Sequence, residues 1–171
     1  PVYAAHDAGA PERAEACWQR ALVLVPEFAE AHANLGLLRQ QQGRLREAEA
    51  CYRASLALRP EAATVHYNLG TNLLAQERPA EAEPCFREAL ARDPGLLPAQ
   101  AQLDRLLQEQ GRWVDSEVYW REALRRRPED THAYLQLAAV LRRQHRHAEA
   151  LACLERAGEL ARAPGESEAD G

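Results

Sequence analysis

The residues with the most obvious chemistry in this 171-residue chain are its four cysteines, Cys17, Cys51, Cys85 and Cys153. Four thiols could form two disulfides, hold a zinc ion or make a redox pair. Their spacing argues against all three. Each is a multiple of 34 residues from the others, and Tyr119 fills the remaining slot. If each copy sits on its own helix, neighbouring copies are separated by at least ~8–10 Å between axes, whereas a disulfide needs Cα atoms within ~7 Å. No CxxC pair opens a zinc site. The thiols are therefore expected to be small, buried packing residues in a reducing compartment.

Histidine and the carboxylates follow the same logic. His32 and His66 are again 34 apart and are expected to pack rather than to ligate. His145 and His147 flank Arg146, two ligands without a third. No phosphate-binding glycine loop, nucleophile elbow or HExxH is present. Glu47, Glu49, Glu81 and Glu83 recur at fixed spacing and are expected on a solvated outer face. The expectation is no catalytic residue, no metal and no cofactor.

Composition narrows the class. Apolar residues make up 46% of the chain but aromatics only 6%, so alanine and leucine carry the core, as in closely packed helices. No run of ~18 apolar residues exists, which predicts no membrane insertion. A net charge of −5 argues against nucleic acid as partner. All 21 cations are arginine, and isoleucine and methionine are absent as well. A GC-rich gene accounts for this. The functional alternative is planar recognition of carboxylates by guanidinium groups. With no leader visible, the expected compartment is the cytoplasm.

The elements that must position these residues are written in the same period. Pro26, Pro60, Pro94 and Pro128 are 34 apart. Further columns hold Ala14, Ala48, Ala82, Ser116 and Ala150; Trp18, Tyr52, Phe86, Trp120 and Leu154; and Ala21, Ser55, Ala89, Ala123 and Ala157. The other half of each unit reads NLG at 34–36 and 68–70, QLD at 102–104 and QLA at 136–138. These columns resemble the tetratricopeptide repeat, a 34-residue helix–turn–helix.

The resemblance implies an all-α, right-handed α-solenoid of about four and a half repeats. These are a partial repeat 1 over 1–28, then 29–62, 63–96, 97–130 and 131–162, followed by an acidic, disordered tail at 163–171. Helices are expected near 11–25, 29–42, 45–58, 63–76, 79–92, 97–110, 113–126, 131–144 and 147–161. Proline stops each second helix, and Gly9, Gly43 and Gly111 mark the turn within a repeat. Glu77 and His145 replace glycine there, which predicts a different turn geometry. Pro84 should kink its helix. Asp104, in the slot of Gly36, Gly70 and Ala138, should loosen its repeat or reach water.

In this repeat family the first helices line a concave groove. One column of that face, Asn34, Asn68, Gln102 and Gln136, presents carboxamides that can both donate to and accept from a peptide backbone. It is similar to the asparagine ladder in the arrays of O-linked N-acetylglucosamine transferases. The alternative is that Asn in NLG is a consensus residue of the repeat. Four such bonds at ~0.5–1.5 kcal/mol each fall short of the ~8 kcal/mol of micromolar binding. Selectivity would then come from Leu37, Tyr67, Thr71, Leu135, Arg105, Arg142 and Arg143, the arginines favouring an acidic ligand segment. The cations of a chaperone-tail carboxylate clamp are missing. Arg125, Arg126 and Arg127 end a helix and offset its dipole.

The expected function is a protein-interaction scaffold binding an extended peptide or partner helix. The alternative is the substrate-recognition array of a larger enzyme such as an O-linked glycosyltransferase. Stacked repeats need polar caps, and the two ends offer none. The chain is therefore expected to be a piece of a longer protein, or else to associate as a homo-oligomer through ends bearing Trp18 and Leu154.

Overall fold

The computed structural model describes residues 10–162, with side chains from 13 onward. Gly9 and the tail at 163–171 lie outside the described residues. Within them the chain is entirely helical: α1 (Ala10–Leu24), α2 (Ala29–Gln41), α3 (Leu45–Leu58), α4 (Ala63–Ala75), α5 (Pro79–Arg92), α6 (Leu97–Glu109), α7 (Trp113–Arg126), α8 (Thr131–Arg143) and α9 (His147–Arg162). Each boundary falls within a residue or two of its sequence expectation. The proline that cannot continue a ladder stands two residues past the end of α1, α3, α5 and α7. After the first three of these prolines the residue six positions later, half-buried at His32 and His66 and buried at Gln100, grips the proline carbonyl. His32 Nε2 donates to Pro26 O at 3.0 Å, His66 Nε2 to Pro60 O at 2.8 Å and Gln100 Nε2 to Pro94 O at 2.7 Å.

The turns inside the repeats share one geometry. Arg44 N donates to Arg39 O, Arg78 N to Leu73 O, Arg112 N to Leu107 O and Arg146 N to Leu141 O, at 2.8–3.0 Å. The residue before each donor adopts positive φ: Gly43 76°, Glu77 59°, Gly111 67° and His145 60°. This is the Schellman closure. The expectation of a different turn at Glu77 and His145 is thus corrected: the flanking helices impose the left-handed residue whether or not it is glycine. Pro84 lies inside α5, which runs unbroken through it.

The chain forms two compact units, one ending at Leu103 and the other beginning at Asp104. In the first, α2 packs on α3, α4 on α5 and α3 on α4, with α1 against α2 and α2 touching α4. Tyr52 and Phe86 are fully buried. A Cβ on Gly36 would lie 2.8 Å from the Tyr52 ring, and one on Gly70 2.7 Å from that of Phe86. Glycine is there because the ring occupies the space of a side chain.

In the second unit α8 packs on α7 and α9, around Trp120, Leu137, Ala138, Val140 and Leu141. Here Asp104 does not reach water. It is buried, accepting from Ser116 Oγ at 2.5 Å and from the Trp120 indole Nε1 at 2.9 Å, while Gln108 donates to its other oxygen at 2.5 Å. Three donors replace the hydration that the carboxylate loses.

Candidate functional site

The first-helix positions expected to face a ligand are all accessible. On α2, Asn34 and Leu37 are exposed; on α4, Tyr67, Asn68 and Thr71 are half-buried. Tyr67 leans on Phe86, with ring centroids 6.1 Å apart, so its ring is held by the core while one edge stays open. Thr71 Oγ1 donates to Asn68 O at 2.9 Å and accepts from Gln40 Nε2 at 3.4 Å. Gln40 in turn accepts from Tyr52 Oη at 3.0 Å. Thr71 is therefore already tied into its own unit.

Carboxamides elsewhere in the protein are mostly engaged: Gln42, Gln76, Gln100, Gln108, Gln110 and Gln144 all pair with described groups. Those of Asn34, Asn68, Gln102 and Gln136 are bonded to no other described residue. The four are not equivalent, however. Gln102 is half-buried and its Oε1 is shielded from solvent without a partner. Asn34 and Asn68 present both ends of the amide.

On the second unit Gln136 is half-buried, and Arg105, Arg142 and Arg143 are exposed. Arg105 Nε is 3.5 Å from Glu109, which offsets part of the expected positive charge. The Arg143 guanidinium lies over the Trp113 ring, 5.7 Å from its centroid. Trp113 was not among the expected site residues, because its place at the start of α7 gives no hint that it underlies α8.

The carboxylates of the second helices correct another expectation. Glu49 is not on a solvated face: it is buried and paired with Arg53, with Arg78 Nη1 at 2.7 Å and with Gln76 Nε2 at 2.9 Å. Arg44 likewise reaches Glu15 at 2.8 Å, and Arg146 reaches Glu117 at 2.6 Å. Each of these arginines also forks onto a carboxylate three residues later: Glu47, Glu81 and Glu149. Burial raises the Glu49 pKa, but the hydrogen bonds from Gln76 and Arg78 outweigh it and hold the group below its ordinary value. The planar recognition that arginine allows is thus used inside the molecule. The 34-residue recurrence of Arg44, Arg78 and Arg146 was the signal available in the sequence.

The thiols are all free. Cys51 is buried beneath Arg39, whose Nη1 is 3.3 Å from Sγ, and burial pushes its pKa up. Cys85 and Cys153 are half-buried. Cys17 departs from expectation and is exposed. The counterpart of Arg39 for that thiol is residue 5, which lies outside the described residues. Among the described residues, no three His, Cys, Asp or Glu side chains converge as metal ligands. No described helix is long and apolar enough to cross a membrane.

The tetratricopeptide repeat model matches residues 2–45, 34–96 and 105–167. The chain belongs to the tetratricopeptide repeat family. No curated protein sequence matches it. Among solved structures it is similar to MamA from Desulfovibrio magneticus RS-1 (20% identity, TM-score 0.66, covering 92% of this chain and 89% of that one). It is also similar to YrrB, described as a TPR protein with an unusual peptide-binding site (22%, 0.63, 92% and 80%). A third is PilF of Pseudomonas aeruginosa (24%, 0.65, 88% and 69%). These likenesses show the fold class, an all-α tetratricopeptide solenoid.

Proposed function

We propose that this tetratricopeptide protein is an interaction scaffold whose first-helix faces hold an extended peptide. The observation that carries the reading is the contrast among its amides: most are bonded internally, whereas Asn34 and Asn68 stand open at equivalent positions of two successive repeats. A carboxamide matches the alternating donor and acceptor of a peptide backbone, so the grip is permissive toward ligand side chains. Leu37 and the edge of Tyr67 supply apolar contact, and Thr71 braces the backbone of Asn68. Gln102 joins only if its side chain turns outward. On the second unit Gln136, Arg105 and Arg143 form a face suited to a peptide carboxylate. A peptide-binding site in YrrB, a protein of like fold, supports the reading.

The test is a peptide-array screen of the intact chain beside the Asn34→Ala, Asn68→Ala double variant, followed by fluorescence anisotropy on the hits. Losing two hydrogen bonds should weaken binding about 10-fold with thermal stability unchanged. Equal affinity would remove the amide grip.

A further inference from the structure

One stripe of α9 departs from every other second helix. At the spacing i, i+4, i+7 and i+11, α3 carries Glu49, Arg53 and Leu56 with Pro60 just past its end; α5 carries Glu83, Arg87 and Leu90 with Pro94 past its end; α7 carries Glu117, Arg121 and Leu124 with Pro128 past its end. In those helices the first two residues pair with each other, and Glu49 and Glu117 also receive an arginine from a later turn. In α9 the same positions hold Leu151, Glu155, Gly158 and Arg162, so all four are changed.

The consequences are physical. The carboxylate that would accept an arginine is replaced by Leu151, which is 56% exposed, and Leu154 beside it is 40% exposed. Gly158 stands where the other helices have leucine, and among the described residues the one atom within 4 Å of a Cβ there is Nη2 of Arg162, 3.7 Å away. Without proline, α9 runs on to Arg162. At ~100° per residue these positions share one face. That face is apolar in its first half, open to close backbone approach at Gly158, acidic at Glu155 and basic at Arg162. It no longer matches a further repeat of the kind seen in α3 or α7. It does match itself run in the opposite direction.

We propose that α9 pairs antiparallel with α9 of a second copy, crossing near Gly158. In such a two-fold contact each pairing occurs twice. Leu151 and Leu154 cover the aliphatic stem of the other copy's Arg162, and Glu155 of each copy meets Arg162 of the other. Among the described residues Glu155 has no ion partner, and Arg162 bonds only to its own Gly158 carbonyl, at 3.0 Å. One helix face is a small interface, so the dimer is weak and reversible.

Sedimentation equilibrium on the whole chain, from about 10 µM to about 1 mM, should show a monomer–dimer equilibrium. Leu151→Glu restores the residue used by the other second helices, and circular dichroism checks its folding. It should weaken the dimer at least about 10-fold. Glu155→Arg and Arg162→Glu should each weaken self-association, yet a mixture of these two variants should form a heterodimer at wild-type strength, because both pairs are then restored. A wild-type monomer throughout overturns the proposal. So does a Leu151→Glu dimer of unchanged strength, or a mixture that fails to associate when the wild type does. None of these outcomes bears on peptide binding by α2 and α4, so the two readings fail separately.

Discussion

In the hairpin of α4 and α5, Gly70 lies under the ring of Phe86; in that of α6 and α7, Asp104 and Trp120 hold the same two positions. The first contact is steric. A residue without a side chain makes room for a ring, and what stabilises it is apolar area removed from water. The second is polar. A wider ring brings an indole N–H, the residue across it becomes a carboxylate that accepts its hydrogen bond, and Ser116, in the column of Ala48 and Ala82, supplies a second donor. One backbone arrangement therefore accommodates two chemistries, provided that all members of the cluster change together. Changing one alone leaves either a clash or an orphaned buried group.

The largest effect expected from breaking this contrast is that of Asp104→Ala. It strands the Trp120 N–H and the Ser116 hydroxyl in a buried site, at about 3 kcal/mol in all. Urea unfolding followed by circular dichroism measures it. Converting the whole cluster with Asp104→Gly, Ser116→Ala and Trp120→Phe should cost less than Asp104→Ala alone, since no polar group is then orphaned. A triple variant weaker than the single one would show that the carboxylate is not coupled to its donors.

Next in size is Gly70→Ala. Its methyl group would meet a fully buried ring at 2.7 Å, an overpacking cost of about 2 kcal/mol. The same unfolding assay reads it, and an unchanged midpoint would mean that the Phe86 ring yields freely.

The smallest effect concerns the first of these hairpins alone, where Arg78 reaches back to Glu49 of the preceding second helix, α3. Glu49 has its pKa held below the ordinary value of 4.5 in the folded chain. Its contribution is therefore complete above that value and is lost as pH falls through the lower, folded one. Glu49→Gln should lower the urea midpoint at pH 7 and narrow the gap between pH 7 and pH 3. Parallel pH profiles for variant and parent would exclude this pair as a source of acid sensitivity.

Much of the architecture was legible because it is local. Proline two residues past a helix and small residues at the hairpin contact are properties of short segments, and the 34-residue period repeats them often enough to place every helix. The exceptions depend on groups distant in sequence. Glu77 and His145 adopt positive φ because the flanking helices demand it, against their own preference. Asp104 reads as a defect until Ser116 and Trp120, changed in the same hairpin, are read with it. Glu49 was assigned to solvent by helical periodicity, yet Arg78, 29 residues later, covers it.

At the candidate site, side-chain type identified the open amides of Asn34 and Asn68. It could not reveal that the Gln102 oxygen is shielded or that Trp113 lies beneath Arg143, because both depend on how neighbouring helices pack.

The arginine bridges also bear on how such a chain can lengthen or shorten. Glu15 and Arg44 are separated by 29 positions, as are Glu49 and Arg78. Excising residues 16–49 would bring Glu15 to that same separation from Arg78, so the guanidinium would meet a carboxylate across the splice. Loss or duplication of one whole block is electrostatically silent, whereas an insertion of one or two residues is not. Unequal crossing-over in the gene would then keep these bridges intact, whereas a cut between Asp104 and Trp120 would part that carboxylate from its donors.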